Sequence, residues 1–571
     1  MSHSRWTLSP PAPDNALDKS NFPSLITQLL HNRGMVEPSQ MELFISPDER
    51  LTGDPFLLPD MQLAVSRIYQ ALLGGENIAI YGDFDVDGVT GTALLVEGLS
   101  ILGANVIPYI PHRLTEGYGL SVNALKDLRQ QNISLVITVD CGITALSEVG
   151  KARKMGMDVV ITDHHTPRET LPPATATVNP RLINSAYPFR ELAGVGVAFK
   201  LLQALFRSIG KEERVNELLD LVALGTIADM MPLHGENRFL AIEGLKIANT
   251  HPRLGIQELM TKSGSVSGNL TSEVISWVVA PRLNAAGRLA HAMTSYRLLM
   301  TDSTQEAQEL STWLEGKNTE RRRLTDKVLT RARETVVSKG ITPLLFVTDM
   351  DCPPGIAGLV SNRLSEEFYR PSIVVKINDA MSVGSCRSIP EFNIIASLSQ
   401  CSRLLTRFGG HAQAAGFSLL TKDLPHLEHS LSELAAAQLD GLDLRPSINI
   451  DAEITLQELG GDTFPIIQKL EPFGYGNPAP TFLSQDVKVV DCRSMGKSSQ
   501  HFRLKLQQNG IVWDALAFRL GNHPVEPSVP LDIVYNLKKN SWRGEERLEL
   551  NILDLAPSNH QHRMHDTRAT V

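Results

Sequence analysis

The order of apolar and polar positions divides the chain into segments with different periodicities. Between residues 77 and 165, short apolar runs alternate with amphipathic stretches. The apolar runs lie at 78–81, 106–110, 135–139 and 159–161, and segments with helical character, such as 90–102 and 121–130, separate them. Short buried strands that alternate with helices predict an α/β domain built on a mostly parallel, doubly wound sheet. Helices are expected to dominate from residue 196 to about 228.

The later part of the chain changes pattern twice. Residues 303–339 are largely polar and contain no proline, which predicts one long helix that connects two lobes. A smaller α/β unit is expected from residue 344 to about 439, where apolar runs return. From about 448 to 555, some five short alternating runs separated by turns favour a small β-barrel.

These changes in pattern define the expected domains. The first segment, 1–50, is predicted to be an extended N-terminal lead-in with one short helix near 22–31. A large α/β domain at 51–302, the connector helix at 303–340, a smaller α/β domain at 341–441 and the barrel at 442–557 follow. The polar residues 558–571 are predicted to be a disordered tail.

Composition narrows the class of protein but leaves its partner open. The chain has 571 residues, of which 42% are apolar, a typical balance for a globular protein. It has no apolar run of about 18 residues and no basic N-terminus followed by an apolar stretch, so we expect a cytoplasmic protein without a membrane span. Five cysteines without a C-x-x-C pair argue against a zinc knuckle and against a disulfide framework. The net charge of −9 does not exclude nucleic acid, because local clusters hold phosphates.

Acidic and histidine residues stand at the ends of four predicted elements. Three of the groups directly follow strand-like runs, and the fourth ends a predicted helix. In a doubly wound sheet, ligands bind beyond the carboxyl ends of the strands, so these side chains should converge on one crevice. The residues concerned are Asp83, Asp85 and Asp87, then Asp140, then Asp163, His164 and His165, and finally Asp229.

Such a cluster requires cations, because neighbouring carboxylates repel one another. Oxygen ligands with one or two imidazoles suit Mn²⁺ or Mg²⁺, and two such metals could activate a water for hydrolysis of a phosphate ester. A calcium loop of the EF-hand type is the rival interpretation, but it needs Glu at its twelfth position, where this chain has Leu94. A plain Asp-rich turn is the other alternative. Because neighbouring residues point to different sides, we expect His164 to bind metal and His165 to serve catalysis or phosphate binding.

Two other phosphate-binding patterns are incomplete. The segment 494–498 ends like a P-loop, but the position of its first glycine is Asp491. Gly194, Val195 and Gly196 lack the third glycine of a dinucleotide fingerprint. We therefore expect no requirement for ATP or a nicotinamide cofactor.

Taken together, the acidic segments resemble motifs I to IV of the DHH phosphoesterase superfamily. Further segments, in the right order from about residue 54 to 555, resemble the RecJ family of single-strand-specific exonucleases. Those segments are Pro-Arg-Leu-Asn-Ala-Ala-Gly-Arg at 281–288, Gly-Ser-Cys-Arg-Ser at 384–388, Gly-Gly-His at 409–411 and Pro-Phe-Gly-Tyr-Gly-Asn-Pro at 472–478.

The resemblance implies a 5′→3′ exonuclease that uses Mg²⁺ or Mn²⁺ to release mononucleotides from single-stranded DNA in recombination and repair. It implies a DHH domain, a DHH-associated domain and an OB-like barrel, and a link to single-strand-binding protein or a helicase. A monomer is the expected state. By motif, Asp83, Asp85, Asp87, Asp140, His164 and Asp229 match the two-metal site, and His165 with Asp163 matches the catalytic pair. The substrate and 5′-phosphate set is Arg113, Arg282, Asn284, Arg288, Ser385, Arg387, Gly409, Gly410 and His411. Phe502, Arg503, Trp513 and Arg519 are the expected single-strand groove.

Two other functions compete with this one. A small-substrate DHH hydrolase, such as a pyrophosphatase or a dinucleotide phosphodiesterase, usually needs only two lobes, so the additional barrel argues against it. An inactive DHH scaffold typically loses metal ligands, whereas this chain keeps every acidic position.

Overall fold

The computed structural model describes residues 4–113, 115–266, 268–495, 501–518, 529–542 and 545–558. The chain divides into two compact units, one formed by Thr52–Leu444 and the other by Met1–Leu51 together with Arg445–Val571. None of the helices in the described ranges combines the length and the apolar character needed to cross a bilayer.

The N-terminal segment is folded and is not the extended lead-in expected from its sequence. It contains strand β1 (Arg5–Leu8) and helices α1 (Asp14–Lys19), α2 (Ser24–Asn32) and α3 (Pro38–Ile45). The predicted short helix corresponds to α2, whose Ile26, Leu29 and Leu30 are buried. Three prolines of this segment, Pro13, Pro23 and Pro38, lie at helix starts, where a missing N–H costs nothing.

The larger unit begins with a five-stranded parallel sheet, as predicted. Its strand order is β3-β2-β4-β5-β6, and every pairing is parallel. Helices connect the strands, and the central strand β4 is almost wholly buried, as parallel strands covered on both faces are. The elements are α4 (Met61–Gly74), β2 (Asn77–Tyr81), α5 (Val86–Ile101), β3 (Asn105–Tyr109), α6 (Val122–Gln130), β4 (Ile133–Val139), α7 (Leu146–Lys154), β5 (Asp158–Thr162) and β6 (Ala176–Val178).

Helices follow the sheet and end in the long connector. They are α8 (Gly194–Ser208), α9 (Leu219–Ala228), α10 (Gly235–Thr250), α11 (Leu254–Ser263), α12 (Ser272–Val274), α13 (Ala280–Leu289), α14 (Met293–Met300) and α15 (Thr304–Lys339). The 36 residues of α15 span about 54 Å, which confirms the predicted long helix.

A smaller mixed sheet completes this unit. Its order is β10-β11-β9-β8-β7, with β7 and β8 parallel and the other pairs antiparallel. Strand β10 is an edge strand whose five residues are all exposed. The elements are β7 (Leu345–Asp349), α16 (Pro354–Phe368), β8 (Ser372–Lys376), β9 (Met381–Arg387), α17 (Ile394–Gln400), β10 (Arg407–His411), β11 (Ala414–Leu420) and α18 (Leu424–Leu439).

The other unit is a closed β-barrel joined to the N-terminal segment. Its elements are β12 (Ser447–Ile450), β13 (Ala452–Glu453), α19 (Thr463–Gln468), β14 (Phe482–Met495), β15 (His501–Gln508), β16 (Ile511–Ala517), β17 (Leu531–Trp542) and β18 (Glu545–Pro557). Strands β14-β15-β16-β18-β17 close because β17 pairs back with β14. Strand β1 runs parallel to β12, and α2 packs into the barrel core.

Candidate active site

The first acidic segment forms the tight connection between β2 and α5. Asp85 is the N-cap of α5, and its carboxylate accepts a hydrogen bond from the Gly88 backbone N–H at 3.1 Å. A side chain at Gly88 would place its Cβ 2.5 Å from the Asp83 backbone nitrogen. Glycine therefore lets the first turn of α5 pack directly against the segment that carries Asp83.

Asp87 is held by the N-terminus of another helix. Its carboxylate is buried and accepts hydrogen bonds from the backbone N–H groups of Gly194, at 2.6 Å, and Val195, at 2.7 Å. These are the first two residues of α8, where the helix dipole also favours a negative charge. A Cβ at Gly194 would lie 2.6 Å from the Asp140 Cβ. Gly194, one of the glycines of the incomplete dinucleotide fingerprint, thus allows α8 to approach the acidic cluster.

His164 lies at the centre of three carboxylates. Its Nε2 is 3.0 Å from an Asp140 oxygen, 3.7 Å from one of Asp229 and 3.8 Å from one of Asp87. Asp140 follows β4 in the left-handed region, with φ of 59°, a conformation that costs a non-glycine residue energy and aims this side chain away from the strand direction. Burial and the neighbouring His165 lower the pKa of His164 to about 3, so its imidazole is neutral and can act as a ligand.

Burial and mutual repulsion make the charged form of these carboxylates unfavourable, and bound metal ions would remove this penalty. Burial first, and then the adjacent carboxylates, raise the pKa values of Asp83, Asp140 and Asp229 well above the usual range and that of Asp87 to about 7. Among the described residues, one buried oxygen of Asp83 and one of Asp140 have no hydrogen-bond donor. Possible ligand atoms lie within 4.8 Å of one another in three groups: Asp140, His164 and His165; Asp87, His164 and Asp229; and Asp83, Asp85 and Asp140. Oxygen ligands with imidazole fit Mn²⁺ or Mg²⁺.

His165 has a different environment from its neighbour. Its Nδ1 lies 2.8 Å from an oxygen of Asp163, and the same oxygen accepts the backbone N–H groups of His164 and His165. The other Asp163 oxygen accepts the Ile143 N–H at 2.9 Å. Burial opposes ionisation of both partners, but their mutual hydrogen bond prevails, so the pKa of Asp163 is lowered and that of His165 is raised. Because Nδ1 faces the carboxylate, Nε2 lies on the side of the His165 ring that is turned away from Asp163. Asp163 is therefore a positioning residue for His165.

Arginines gather beside the acidic cluster. The guanidinium of Arg113 lies 4.7 Å from the centre of the Phe84 ring, and the charges of Asp83 and Asp85 attract it. Burial first, and then the like charges of Arg113, Arg321 and Arg387, lower the pKa of Arg288 to about 9. Arg288 donates to the Gly355 carbonyl at 3.1 Å. Four guanidinium groups in one place repel one another and favour a multivalent anion.

The acidic and basic groups open onto the same cavity of about 460 Å³. Its lining combines carboxylates, His165, two of the arginines and the glycine-rich segment of β10 and β11. The lining residues are Asp83, Phe84, Asp85, Arg113, Tyr118, Asp140, His165, Asp229, Arg387, Gly409, Gly410, Ala414, Ala415 and Gly416.

Comparison with known proteins identifies the family. Residues 77–226 match the model of the DHH family, N-terminal domain, and residues 450–554 match that of the RecJ OB domain. The single-stranded-DNA-specific exonuclease RecJ of Bacillus subtilis is 37% identical over 98% of this chain and 71% of its own. That of Haemophilus influenzae is 34% identical over 88% and 92%. This chain belongs to the RecJ family. The crystal structure of RecJ in complex with Mn²⁺ from Thermus thermophilus matches 98% of this chain and 80% of its own, with a TM-score of 0.84 and 29% identity.

The RecJ substrate residues expected on the smaller sheet lie mainly in two alternate rows. Ser385 on β9 pairs with Gly416 on β11, which pairs with Gly409 on β10. Two positions along the strands, Arg387, Ala414 and His411 pair in the same way. Because alternate strand residues share a face, Ser385, Arg387, Gly409 and His411 lie on one side of the sheet. Gly410, with φ of 143°, faces the other side, where a Cβ would lie 2.3 Å from the Ala414 carbonyl oxygen.

Two of the expected substrate residues lie on α13. Arg282 is buried, forms an ion pair with Glu315 of α15 and donates to the Val278 carbonyl at 2.8 Å. The structure therefore uses Arg282 to tie α13 to α15 and does not present it to the cavity lining. Asn284 is half-buried on the same helix.

Sequence reasoning missed two residues of the site. The Tyr118 hydroxyl donates to the Asp140 carbonyl at 3.1 Å and lies 3.3 Å from Nδ1 of His165. In the sequence, the only signal for Tyr118 was its position between two glycines, Gly117 and Gly119. In the structure both glycines have φ of 82°. Arg321 belongs to the charged run at 320–323 of the connector helix, for which the sequence favours a solvated helix face, yet its Nε is buried and has no hydrogen-bond partner in the described part of the chain. It continues the buried stripe of Leu314, Asn318 and Thr325, a spacing that could have identified it.

The barrel residues expected in a single-strand groove do not share a face. Phe502 and Trp513 pack against the barrel core, and Trp513 Nε1 donates to the Leu456 carbonyl at 3.0 Å. The two rings belong to the inward set of alternate strand positions and so form no exposed stacking platform. Arg503 points outward and lies 3.4 Å from Glu549. Arg519 lies outside the described residues.

Proposed function

We propose that this chain is a metal-dependent exonuclease that hydrolyses single-stranded DNA from its 5′ end and releases 5′-mononucleotides. The observation that carries the proposal is the shared cavity, in which Arg113 and Arg387 face the carboxylates of Asp83, Asp85 and Asp140. A hydrolytic centre beside an anion pocket suits a substrate that ends in a phosphate.

The arginine group accounts for end recognition. A terminal phosphate carries about two negative charges near neutral pH, whereas an internal phosphodiester carries one. Arg113, Arg288, Arg321 and Arg387 together offer planar donors that match phosphate oxygens in pairs. Burial of these side chains removes competing water and strengthens the preference for the doubly charged end.

The residues of the chain divide the chemistry between them. Asp83, Asp85, Asp87, Asp140, His164 and Asp229 would hold Mn²⁺ or Mg²⁺, which when bound lowers the pKa of a water and stabilises the leaving oxygen. His165 lines the cavity, and its Nε2 would move a proton at the scissile phosphate or donate to it. Asp163 and Tyr118 both lie against Nδ1 of His165 and fix the orientation of its ring. Hydrolysis breaks the P–O3′ bond, O3′ takes a proton, and the shortened strand gains a new 5′ phosphate.

The barrel would hold the strand by an outer face that carries Arg503 of the expected groove but not the rings of Phe502 and Trp513. Outward positions of β15 carry Arg503 and Lys505, next to Arg493 on β14. The ring of His501 lies 5.5 Å from that of Phe518, which is 51% exposed. Basic side chains beside an exposed aromatic ring are typical of surfaces that bind single strands by stacking and by phosphate contacts.

The family resemblance supports further proposals. They are a role in recombination and repair, cooperation with single-strand-binding protein or a helicase, a monomeric state and a cytoplasmic location.

The test is degradation of end-labelled DNA. With Mn²⁺, 5′-labelled single strands should release label early as mononucleotide, 3′-labelled strands should release it late, and a matched duplex should resist. Asp140→Ala should abolish turnover and leave the circular dichroism spectrum unchanged. Hydrolysis of pyrophosphate or dinucleotides without activity on long strands would refute the proposal.

A further inference from the structure

A sharp turn in the barrel unit carries an exposed tyrosine at its tip. The backbone N–H of Gly474 donates to the Asn477 carbonyl at 2.9 Å, and the Asn477 N–H donates to the Gly474 carbonyl at 3.2 Å. Between them, Gly476 adopts φ of 73°, which glycine permits without strain. Tyr475 occupies the remaining corner position and is 63% exposed.

The base of this turn is fixed from inside the unit. Asn477 is fully buried, and its Nδ2 donates to the carbonyls of Leu470, at 2.8 Å, and Pro472, at 2.9 Å. Its Oδ1 accepts a hydrogen bond from Nε of Arg33 at 2.8 Å, and Arg33 also donates to the Pro478 carbonyl at 2.7 Å. Helix α2, which carries Arg33 just after its last residue, therefore holds the turn in one conformation.

Among the described residues, no contact gives the ring of Tyr475 a structural role. Its neighbours in the chain are the two exposed glycines, so no adjacent side chain covers either face of the ring. Within the described part of the chain, its hydroxyl makes no hydrogen bond. By contrast, the buried hydroxyls of Tyr81 and Tyr187 have carbonyl or carboxylate partners.

Exposed aromatic rings are rare in this unit. Among the residues that the structure describes there, Tyr475 and Phe518 are the aromatic side chains that are more than half exposed. Phe502 and Trp513, the aromatic residues expected to stack on bases, pack inward instead. If the barrel unit stacks on bases, these two exposed rings are the side chains placed to do so.

We propose that Tyr475 is a base-stacking contact for single-stranded nucleic acid. The inference rests on the proposed function, because it requires a single strand as the ligand. A nucleobase needs only the open face of a ring, and every base offers one, so the contact tolerates any sequence. The fixed turn loses little conformational freedom on binding. A protein interface would instead surround such a residue with a packed apolar patch, whereas Tyr475 stands between two glycines.

Binding of abasic strands by the whole chain tests the proposal. Affinity for an oligothymidine is measured by fluorescence anisotropy in EDTA, so that no strand is cut. We expect Tyr475→Ala to weaken binding about tenfold and Tyr475→Phe, which keeps the ring, to remain within about twofold. Val36→Ala, which removes an exposed apolar side chain of the same unit, serves as the matched control and should bind like the unmodified chain.

A single abasic position is then moved along the strand. In the unmodified chain, one position should weaken binding by a factor similar to that of Tyr475→Ala, and in Tyr475→Ala the same abasic position should have no effect. An unchanged affinity of Tyr475→Ala, or an identical abasic profile in both proteins, would overturn the inference while strand degradation continues. Failure of the unmodified chain to bind or cut any single strand would instead refute the proposed function.

Discussion

Asp163 and His165 are joined twice, because one oxygen of the Asp163 carboxylate accepts both the backbone N–H of His165, at 3.0 Å, and its Nδ1, at 2.8 Å. A carboxylate two residues earlier thus fixes both the backbone and the ring of the histidine. The second oxygen, bound to the Ile143 N–H, prevents the carboxylate from rotating.

Replacement of Asp163 should therefore impair catalysis without emptying the metal site. We expect Asp163→Asn to lower kcat about 10- to 100-fold, because the amide no longer favours the Nδ1–H tautomer of His165. Steady-state kinetics with bound Mn²⁺ measured in parallel would check this. His165→Ala is the comparison, and the double variant should be little worse than either single variant. Additive losses would show that Asp163 acts through another group.

Removal of metal should make stability depend on pH in a specific direction. The raised pKa values of Asp83, Asp87, Asp140 and Asp229 mean that, above their usual value near 3.8, the folded state binds more protons than the unfolded state. Stability of the metal-free protein then falls as pH rises through this range, up to about 7 for Asp87. The lowered pKa of His164 acts in the opposite direction, but four carboxylates outweigh one imidazole.

Thermal unfolding in EDTA at pH 5.5 and pH 7.5 measures this effect. We expect a lower Tm at the higher pH in EDTA, and a rise in Tm on addition of Mn²⁺ that is larger at pH 7.5. Asp140→Asn should reduce the difference between the two pH values. A metal-free Tm that increases toward pH 7.5 would contradict the assigned charges.

Arg321 should contribute to the preference for a phosphorylated end. We expect Arg321→Ala to reduce the ratio of kcat/KM for 5′-phosphorylated over 5′-hydroxyl strands about tenfold or more, as for a lost charge-assisted hydrogen bond. Arg322→Ala is the matched control, because Arg322 follows directly in α15 but is exposed. Equal losses on both kinds of strand would place Arg321 outside the phosphate pocket.

The approach of α8 to the acidic cluster can be tested with two glycines of the same helix. Gly194→Ala would bring a methyl group to 2.6 Å from the Asp140 Cβ, whereas in Gly196→Ala the nearest atom, the Leu192 Cβ, is 3.4 Å away. We expect the first variant to lose at least about tenfold in kcat/KM and to require more Mn²⁺, and the second to change little. Similar behaviour of the two variants would argue against the close packing of α8.

Local pattern predicted the sheet and the acidic cluster well, for a physical reason. In a parallel sheet, one edge collects whatever follows each strand, so Asp83, Asp140 and His164 could be brought together from strand periodicity alone. It was harder to predict which residues of the barrel strands face the core. Phe502 and Arg503 are neighbours that point to opposite sides, and only the strand register decides which one is inside.

Other features depended on contacts that no local pattern contains. Arg321 is one of three consecutive arginines in α15, and only the packing of that helix shows that Arg321 is the one that is not exposed. The hydrogen-bond donors to Asp87 are the backbone N–H groups of Gly194 and Val195, more than a hundred residues away. Because every residue except proline has a backbone N–H, the sequence does not indicate which of them will donate. Leu8 and Ile450, which pair between β1 and β12, are even farther apart in the sequence.

That pairing sets an order of events during synthesis. Because domains generally fold as their residues leave the ribosome, the unit formed by Thr52–Leu444 can fold while the barrel strands are still unmade. The first 51 residues emerge earliest, yet β1 has no partner until β12 exists, and Ile26, Leu29 and Leu30 have no barrel core to enter. The start of the chain therefore cannot complete its fold until the barrel strands have been made, and until then the apolar side chains of α2 have no core to enter.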